Sequence, residues 1–314
     1  MPHFTAPGAA GALNSAGALR MMRPVGQLME AAVEADVRRG EAAMRRLQRL
    51  VRERTGLDLA PYKGRFLERR IAIRQRVTRN ERLDDYLDFL GRESAEMDRL
   101  VRCLTIHVSG FFRNPSTYEA IRDAVLPRLL EPGVSRRLRF WSVGCSRGEE
   151  PYSLAILVHE RLGEGLRGWD VQIHAIDVDD RVLEDAKRAE YGPGQVGDVG
   201  AARLARYFTG PGRWRLAPEV RRLVRFHRRD VLMDPPRGEY DCILCRNLLI
   251  YLDRPAQEAV FARFARALRP GGFLVLGRTE VIVGAGRAAF EVVDARERIY
   301  RRLPVAGAAP GGEA

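Results

Sequence analysis

The densest concentration of residues able to do chemistry is the run Gly144-Cys145-Ser146-Arg147-Gly148-Glu149-Glu150. The apolar stretch Leu138 to Val143 before it reads as a strand, and Pro151 after it is well placed in the first turn of a helix. A glycine-bearing turn from strand to helix is where nucleotide-like ligands bind, although glycine is often present only to make the turn. The two acids narrow the choice. A pyrophosphate seated on this helix start would be repelled by Glu149 and Glu150. A nucleoside carrying positive charge and no phosphate would not be, and S-adenosylmethionine is such a molecule. Either acid can instead serve only the helix dipole, worth about 0.3 to 1 kcal/mol.

A second carboxylate closes the following strand, in His174-Ala175-Ile176-Asp177-Val178-Asp179. Asp177 is placed to accept hydrogen bonds from ribose hydroxyls, and Asp179 to cap the helix that runs through Val182, Leu183 and Ala186. His159, His174 and His227 fall inside helix or strand patterns without a nucleophile elbow and read as structural. Cys242 and Cys245 form a C-x-x-C inside an apolar strand, where residues three apart point to opposite faces. They read as buried small hydrophobes rather than a metal or redox pair.

Strands expected at Leu138–Val143, Val171–Ile176, Leu223–His227, Tyr240–Cys245 and Phe273–Gly277 alternate with helices, the pattern of a parallel, doubly wound α/β sheet. Phe290–Val293 and Arg298–Arg301 follow as an edge hairpin, and residues 207–226 carry turn residues between short runs that suggest a small antiparallel β insert. Upstream, Leu47, Leu50 and Val51, then Leu83, Tyr86, Leu87 and Leu90, then Met97, Leu100, Val101 and Leu104 recur at helical spacing. The expected organisation is a leader over 1–26, an all-helical domain and linker over 27–113, the α/β domain over 114–303 with its insert at 207–226, and a tail over 304–314.

The chain has 314 residues, a formal charge of +12 and far more Arg than Lys, so its partner surface is expected to be acidic: nucleic acid or protein, which charge alone does not separate. No apolar run reaches membrane-spanning length, no signal peptide is visible and cysteines are few, so a cytoplasmic protein without membrane insertion is expected; a monomer is also expected.

Four segments, taken in order, resemble the CheR-type chemotaxis protein-glutamate methyltransferases: Leu104 to Arg113, Trp141 to Ser153, Cys245 to Asp253 and Arg269 to Gly277. The likeness covers about Thr55 to Leu303. It implies a helical N-terminal domain, a Rossmann-like S-adenosylmethionine methyltransferase sheet with an inserted antiparallel β subdomain, and esterification of glutamate side chains on the cytoplasmic methylation helices of chemoreceptors, with S-adenosyl-L-homocysteine as product. It also implies that Arg113 and Tyr251 lie next to the transferred methyl, and that His107, Ser109, Gly144, Glu149, Asp177, Asp230, Val231, Arg246 and Asn247 line the cofactor. His107 and Asp230 stand where the family usually has Asn, and Ser109 where it has Thr. Some members grip a receptor's C-terminal peptide with the β subdomain. The short loop around Gly210 to Trp214 argues against such tethering here.

An ionised carboxylate attacking a sulfonium methyl needs no general base, only alignment. The family likeness assigns docking on the acidic receptor helices to Arg65, Arg69, Arg70, Arg74 and Arg76, which crowd one helical stretch. A nucleic-acid methyltransferase is the rival. It would carry an aromatic after Pro-Pro or a Pro-Cys beyond the fourth strand, whereas Arg246-Asn247-Leu248-Leu249 stands there and Asp234-Pro235-Pro236 is followed by Arg237, so no nucleic-acid substrate is expected.

Overall fold

A computed structural model describes residues 25–131, 135–236 and 238–304. Nearly all of the expected leader and tail therefore lie outside the described residues. The N-terminal helices are α1 (Val25–Thr55), α2 (Gly64–Thr78), α3 (Leu83–Arg92) and α4 (Ser94–Leu104). Their helical-period residues meet in one apolar cluster that includes Leu47, Val51, Leu67, Ile71, Tyr86, Leu87, Leu90, Met97, Leu100 and Leu104. Inside it lies a carboxylate. Glu96 is fully buried, bound bidentately by Arg74 at 2.9 and 2.8 Å and by the Tyr86 hydroxyl at 3.0 Å.

Asn114 precedes α5 (Pro115–Ala120), which continues through one π-helical stretch (Ile121–Val125) into α6 (Leu126–Leu129). The rest alternates as the sequence suggests: β1 (Arg137–Val143), α7 (Glu149–Leu162), β2 (Asp170–Asp177), α8 (Asp180–Arg188), β3 (Glu190–Tyr191), α9 (Ala201–Tyr207), β4 (Phe208–Thr209), β5 (Trp214–Leu216), α10 (Pro218–Arg221), β6 (Val224–Arg228), β7 (Tyr240–Cys245), α11 (Arg254–Ala267), β8 (Leu268–Leu276), β9 (Phe290–Asp294) and β10 (Ile299–Arg302).

Seven strands make one sheet in the order β6-β2-β1-β7-β8-β10-β9, parallel through β8 and closed by the antiparallel β10 and β9. Side-chain alternation splits the core. Phe140, Ile173, Cys242 and Phe273 pack with α7 on one face, while Trp141, Ile243, Cys245 and Leu274 pack with Val260, Phe261 and Phe264 of α11 on the other. Cys242 and Cys245 thus part to opposite faces, buried and with thiol pKa values pushed up by burial. Strand order reverses at β1, whose neighbours are β2 and β7, and a crevice opens at its carboxyl end.

The small antiparallel sheet differs in extent from the expected 207–226. Its order is β3-β5-β4, so it begins at Glu190 and ends at Leu216, while Val224–Arg228 belongs to the large sheet beside β2. Two-residue strands are too short to show a period in sequence. No described helix is long and apolar enough to cross a membrane.

Candidate active site

The turn after β1 is fixed by its backbone. Gly144 and Cys145 both donate to the Ile176 carbonyl at 2.9 Å, which ties the turn to the end of β2. Gly148 has φ 88°, and a Cβ there would meet Ala186, Phe226 and Tyr152 at 3.0 to 3.1 Å, so only glycine fits. Asp177 completes the clasp: its two oxygens accept the Ser146 N–H at 2.9 Å and the Asp179 N–H at 3.1 Å. Burial pushes its pKa up.

Beside this turn lies a cavity that opens to solvent. Gly144, Ser146 and Asp177 form one wall, and His107, with Thr105 and Ile106, another. Asp230 and Val231, just past β6, and Asn247, Leu248 and Tyr251, just past β7, complete it. His107 Nε2 is 3.2 Å from Asp179, whose carboxylate also caps α8 through the Arg181 N–H. The bond to His107, with further help from that N–H and the Arg181 charge, holds the Asp179 pKa below its usual value. Asp230 accepts the Leu232 N–H at 2.8 Å; its pKa is raised by burial and by the neighbouring Asp234 and Asp58.

Glu149 and Glu150 take different roles. Glu150 is held by the Ser142 hydroxyl at 2.8 Å and lies 3.6 Å from the Arg246 guanidinium. Glu149 is 1% exposed, receives Gln195 Nε2 at 2.9 Å on one oxygen, and has its other oxygen buried without a hydrogen-bond partner in the protein. An orphaned buried carboxylate oxygen is a place for a hydrogen-bond donor or a cation. With Asp177 and Asp230 on the wall, the site fits a positively charged nucleoside and repels a phosphate.

Residues 107–299 match the S-adenosylmethionine binding domain of CheR methyltransferases, and residues 42–105 match the CheR all-alpha domain. The chain belongs to the CheR methyltransferase family. A chemotaxis protein methyltransferase of Listeria monocytogenes is 35% identical over 75% of this chain and 88% of its own length. Chemotaxis protein methyltransferase 2 of Pseudomonas aeruginosa is 36% identical over 75% and 86%. An uncharacterized 104.1 kDa protein of Rhodobacter capsulatus is 34% identical over 81% of this chain, which spans only 27% of that relative's length. S-adenosylmethionine is therefore the cofactor of this CheR-type methyltransferase, and the chemistry of the donor set agrees with it.

Of the expected site residues, His107, Gly144, Asp177, Asp230, Val231, Asn247 and Tyr251 come together on the cavity wall. Arg246 does not join them. Its guanidinium reaches the Arg113 carbonyl at 2.6 Å, Asn114 Oδ1 at 3.0 Å and the Tyr118 hydroxyl at 3.4 Å, besides Glu150, so the side chain braces the Arg113 segment and does not line the cavity. Arg113 itself donates to the Val108 carbonyl at 2.7 Å and, like Ser109 and Glu149, lies outside the wall. Among the docking arginines, Arg65, Arg69 and Arg76 are exposed on α2, and Arg70 is half-buried over the Phe66 ring. Arg74 leaves the set, because its guanidinium is consumed by buried Glu96.

Two wall or wall-holding residues carry no signal in the sequence reading. Tyr62, from the loop between α1 and α2, lines the cavity, and its backbone pairs with Leu252; burial raises its phenol pKa. Glu280, past β8, bonds the loop that carries Asn247. An aromatic before a basic helix and a lone acid after a strand are both unremarkable locally.

Proposed function

We propose that this CheR-type enzyme esterifies glutamate side chains on the cytoplasmic methylation helices of chemoreceptors. The observation that carries the reading is the seating of α2 on the site: the Phe66 ring in its first turn lies 4.9 Å from the Tyr251 ring, and the Lys63 N–H and ammonium bind the carbonyls of Tyr251 and Ile250 at 3.0 and 2.8 Å. An acidic helix drawn to Arg65, Arg69 and Arg76 thus arrives beside Tyr251, with the charges mainly speeding the encounter. The likeness to chemotaxis protein methyltransferases of Listeria and Pseudomonas supports the same acceptor class.

When bound, S-adenosylmethionine supplies an electrophilic methyl on a sulfonium and is converted to S-adenosylhomocysteine. The chain's own part is placement. Glu149, Asp177 and the backbone around Gly144 hold the cationic nucleoside, with Asp230, Val231, Asn247 and His107 completing the grip and Ser109 beside it. The acceptor carboxylate is already ionised near neutral pH, so no residue need take a proton. The Tyr251 hydroxyl donates a hydrogen bond that orients it, and Arg113, released from Val108, holds it by a charge-assisted bond. Too tight a grip on the ground state would slow transfer, which favours few contacts. The turn between β4 and β5 spans only 210–213, so the reading does not include a receptor-tail tether.

Mass spectrometry of a receptor cytoplasmic domain after incubation with enzyme and cofactor tests the proposal. Addition of one methyl mass at glutamate is expected; modification confined to other side chains would refute it.

A further inference from the structure

The loop that leaves β7 carries Asn247 and Tyr251 yet has little structure of its own. Leu249–Tyr251 is one 3-10 turn, and Asn247 has φ 61°, in the left-handed region. It is held from outside by Glu280. This carboxylate is 3% exposed and accepts four backbone N–H groups: Asn247 and Gly277, both at 2.8 Å, on one oxygen, and Leu249 at 2.7 Å and Ile250 at 3.4 Å on the other. Among the described residues no cation pairs with it, so these donors alone work against the cost of burying the charge, and burial still pushes the Glu280 pKa up. The fit is close, since a Cβ on Gly277 would lie 2.6 Å from the Glu280 carboxylate and 2.9 Å from the Asn247 nitrogen.

We propose that Glu280 is a positioning residue for methyl transfer: it fixes the backbone of 247–250 so that Asn247 and Tyr251 are presented to cofactor and acceptor before either binds. The inference rests on the functional reading above for the acceptor side. It assigns the buried carboxylate more than a share in stability. Helices and strands hold a site residue by their own ladder; a single turn in a loop does not, and a misplacement of about 1 Å at such a site can cost about a hundredfold in rate. From the opposite side the same loop is clasped by the α1–α2 connection, where the Pro61 carbonyl accepts the Asp253 N–H at 2.8 Å.

The test uses the full chain. In Glu280→Gln one oxygen becomes an NH2 facing N–H donors. S-adenosylhomocysteine affinity is expected to fall at least tenfold and kcat at saturating cofactor to fall further, while amide exchange quickens at 246–251 and not in β7. Asp241→Asn is the comparison. Asp241 is a buried acid at the other end of the same strand, accepting the Arg139 N–H at 2.6 Å and pairing with Arg269 at 2.7 Å. Its loss is expected to leave affinity and kcat unchanged. Glu280→Gln with affinity within twofold of wild type and unchanged kcat overturns the proposal, as does an equal loss of both in Asp241→Asn. If Glu280→Gln does not fold, the unliganded wild type decides: slow exchange at Asn247, Leu249 and Ile250 is expected, and exchange as fast as in an unstructured chain overturns it. Wild type that binds S-adenosylhomocysteine but methylates no receptor glutamate would sink the acceptor assignment and leave the affinity and exchange comparisons standing.

Discussion

Glu149→Gln should weaken cofactor binding without destabilising the free protein. In the free protein Glu149 has one oxygen engaged by Gln195 and the other buried with no partner. That oxygen is therefore unsatisfied before the cofactor arrives and open to a bond with it afterwards. A hydrogen bond to a charged group contributes about 1.5 to 3 kcal/mol, so losing it should weaken S-adenosylhomocysteine binding by roughly 10- to 150-fold. Replacing a carboxylate with one partnerless oxygen by a neutral amide should leave the free protein at least as stable as wild type. Calorimetric titration reads the first effect and a thermal melt without ligand the second. Affinity within threefold of wild type, or a lower Tm in the free variant, would refute the assignment of that oxygen to the cofactor.

Tyr251→Phe keeps the ring contact with Phe66 and removes the hydroxyl, so S-adenosylhomocysteine affinity should stay within twofold while kcat falls roughly 10- to 100-fold, a loss of about 1.4 to 2.7 kcal/mol in transition-state stabilisation; wild-type turnover would remove the role. The arginines of α2 should divide. Arg69→Ala and Arg76→Ala should raise KM for the receptor and reduce its salt dependence without changing Tm, whereas Arg74→Ala strands buried Glu96 and should cost about 3 to 5 kcal/mol of stability. The Glu96 pKa is affected first by burial, which raises it, but the bonds from Arg74 and Tyr86 outweigh that and leave it lowered in the folded protein. Its contribution is thus present above the unfolded pKa and lost as pH falls through the folded one, so the gap between wild type and Glu96→Gln in urea melts should narrow only in acid. Asp230 has the opposite sign. Its folded pKa is raised, so its charge costs stability near neutral pH, and Asp230→Asn should raise Tm, with the advantage shrinking as pH falls through the folded Asp230 pKa.

The large sheet was legible because its strands are apolar runs bounded by turn residues. Tyr240–Cys245 is read to the residue, and Asp177 and Gly144 are found from their places at strand ends. What sequence hides is direction and distance. Arg246 occupies the expected position, but whether its side chain faces cofactor or scaffold depends on Glu150, Tyr118 and Asn114, which come from other elements. Arg74 looks like its neighbours on α2 until Glu96 is brought beneath it by the packing of α4. Tyr62 reaches the cavity only because the α1–α2 connection pairs with Leu252, and Glu280 is a buried carboxylate satisfied by backbone N–H groups, whose identity no side-chain motif announces.

The most direct measurement is transfer of a radiolabelled methyl from S-adenosylmethionine, with receptor cytoplasmic domains and nucleic acid offered separately. The proposed function predicts label on the receptor glutamates, released by mild base as expected for a carboxyl ester, and none on nucleic acid. Base-stable label on the receptor, or label on nucleic acid alone, would contradict it.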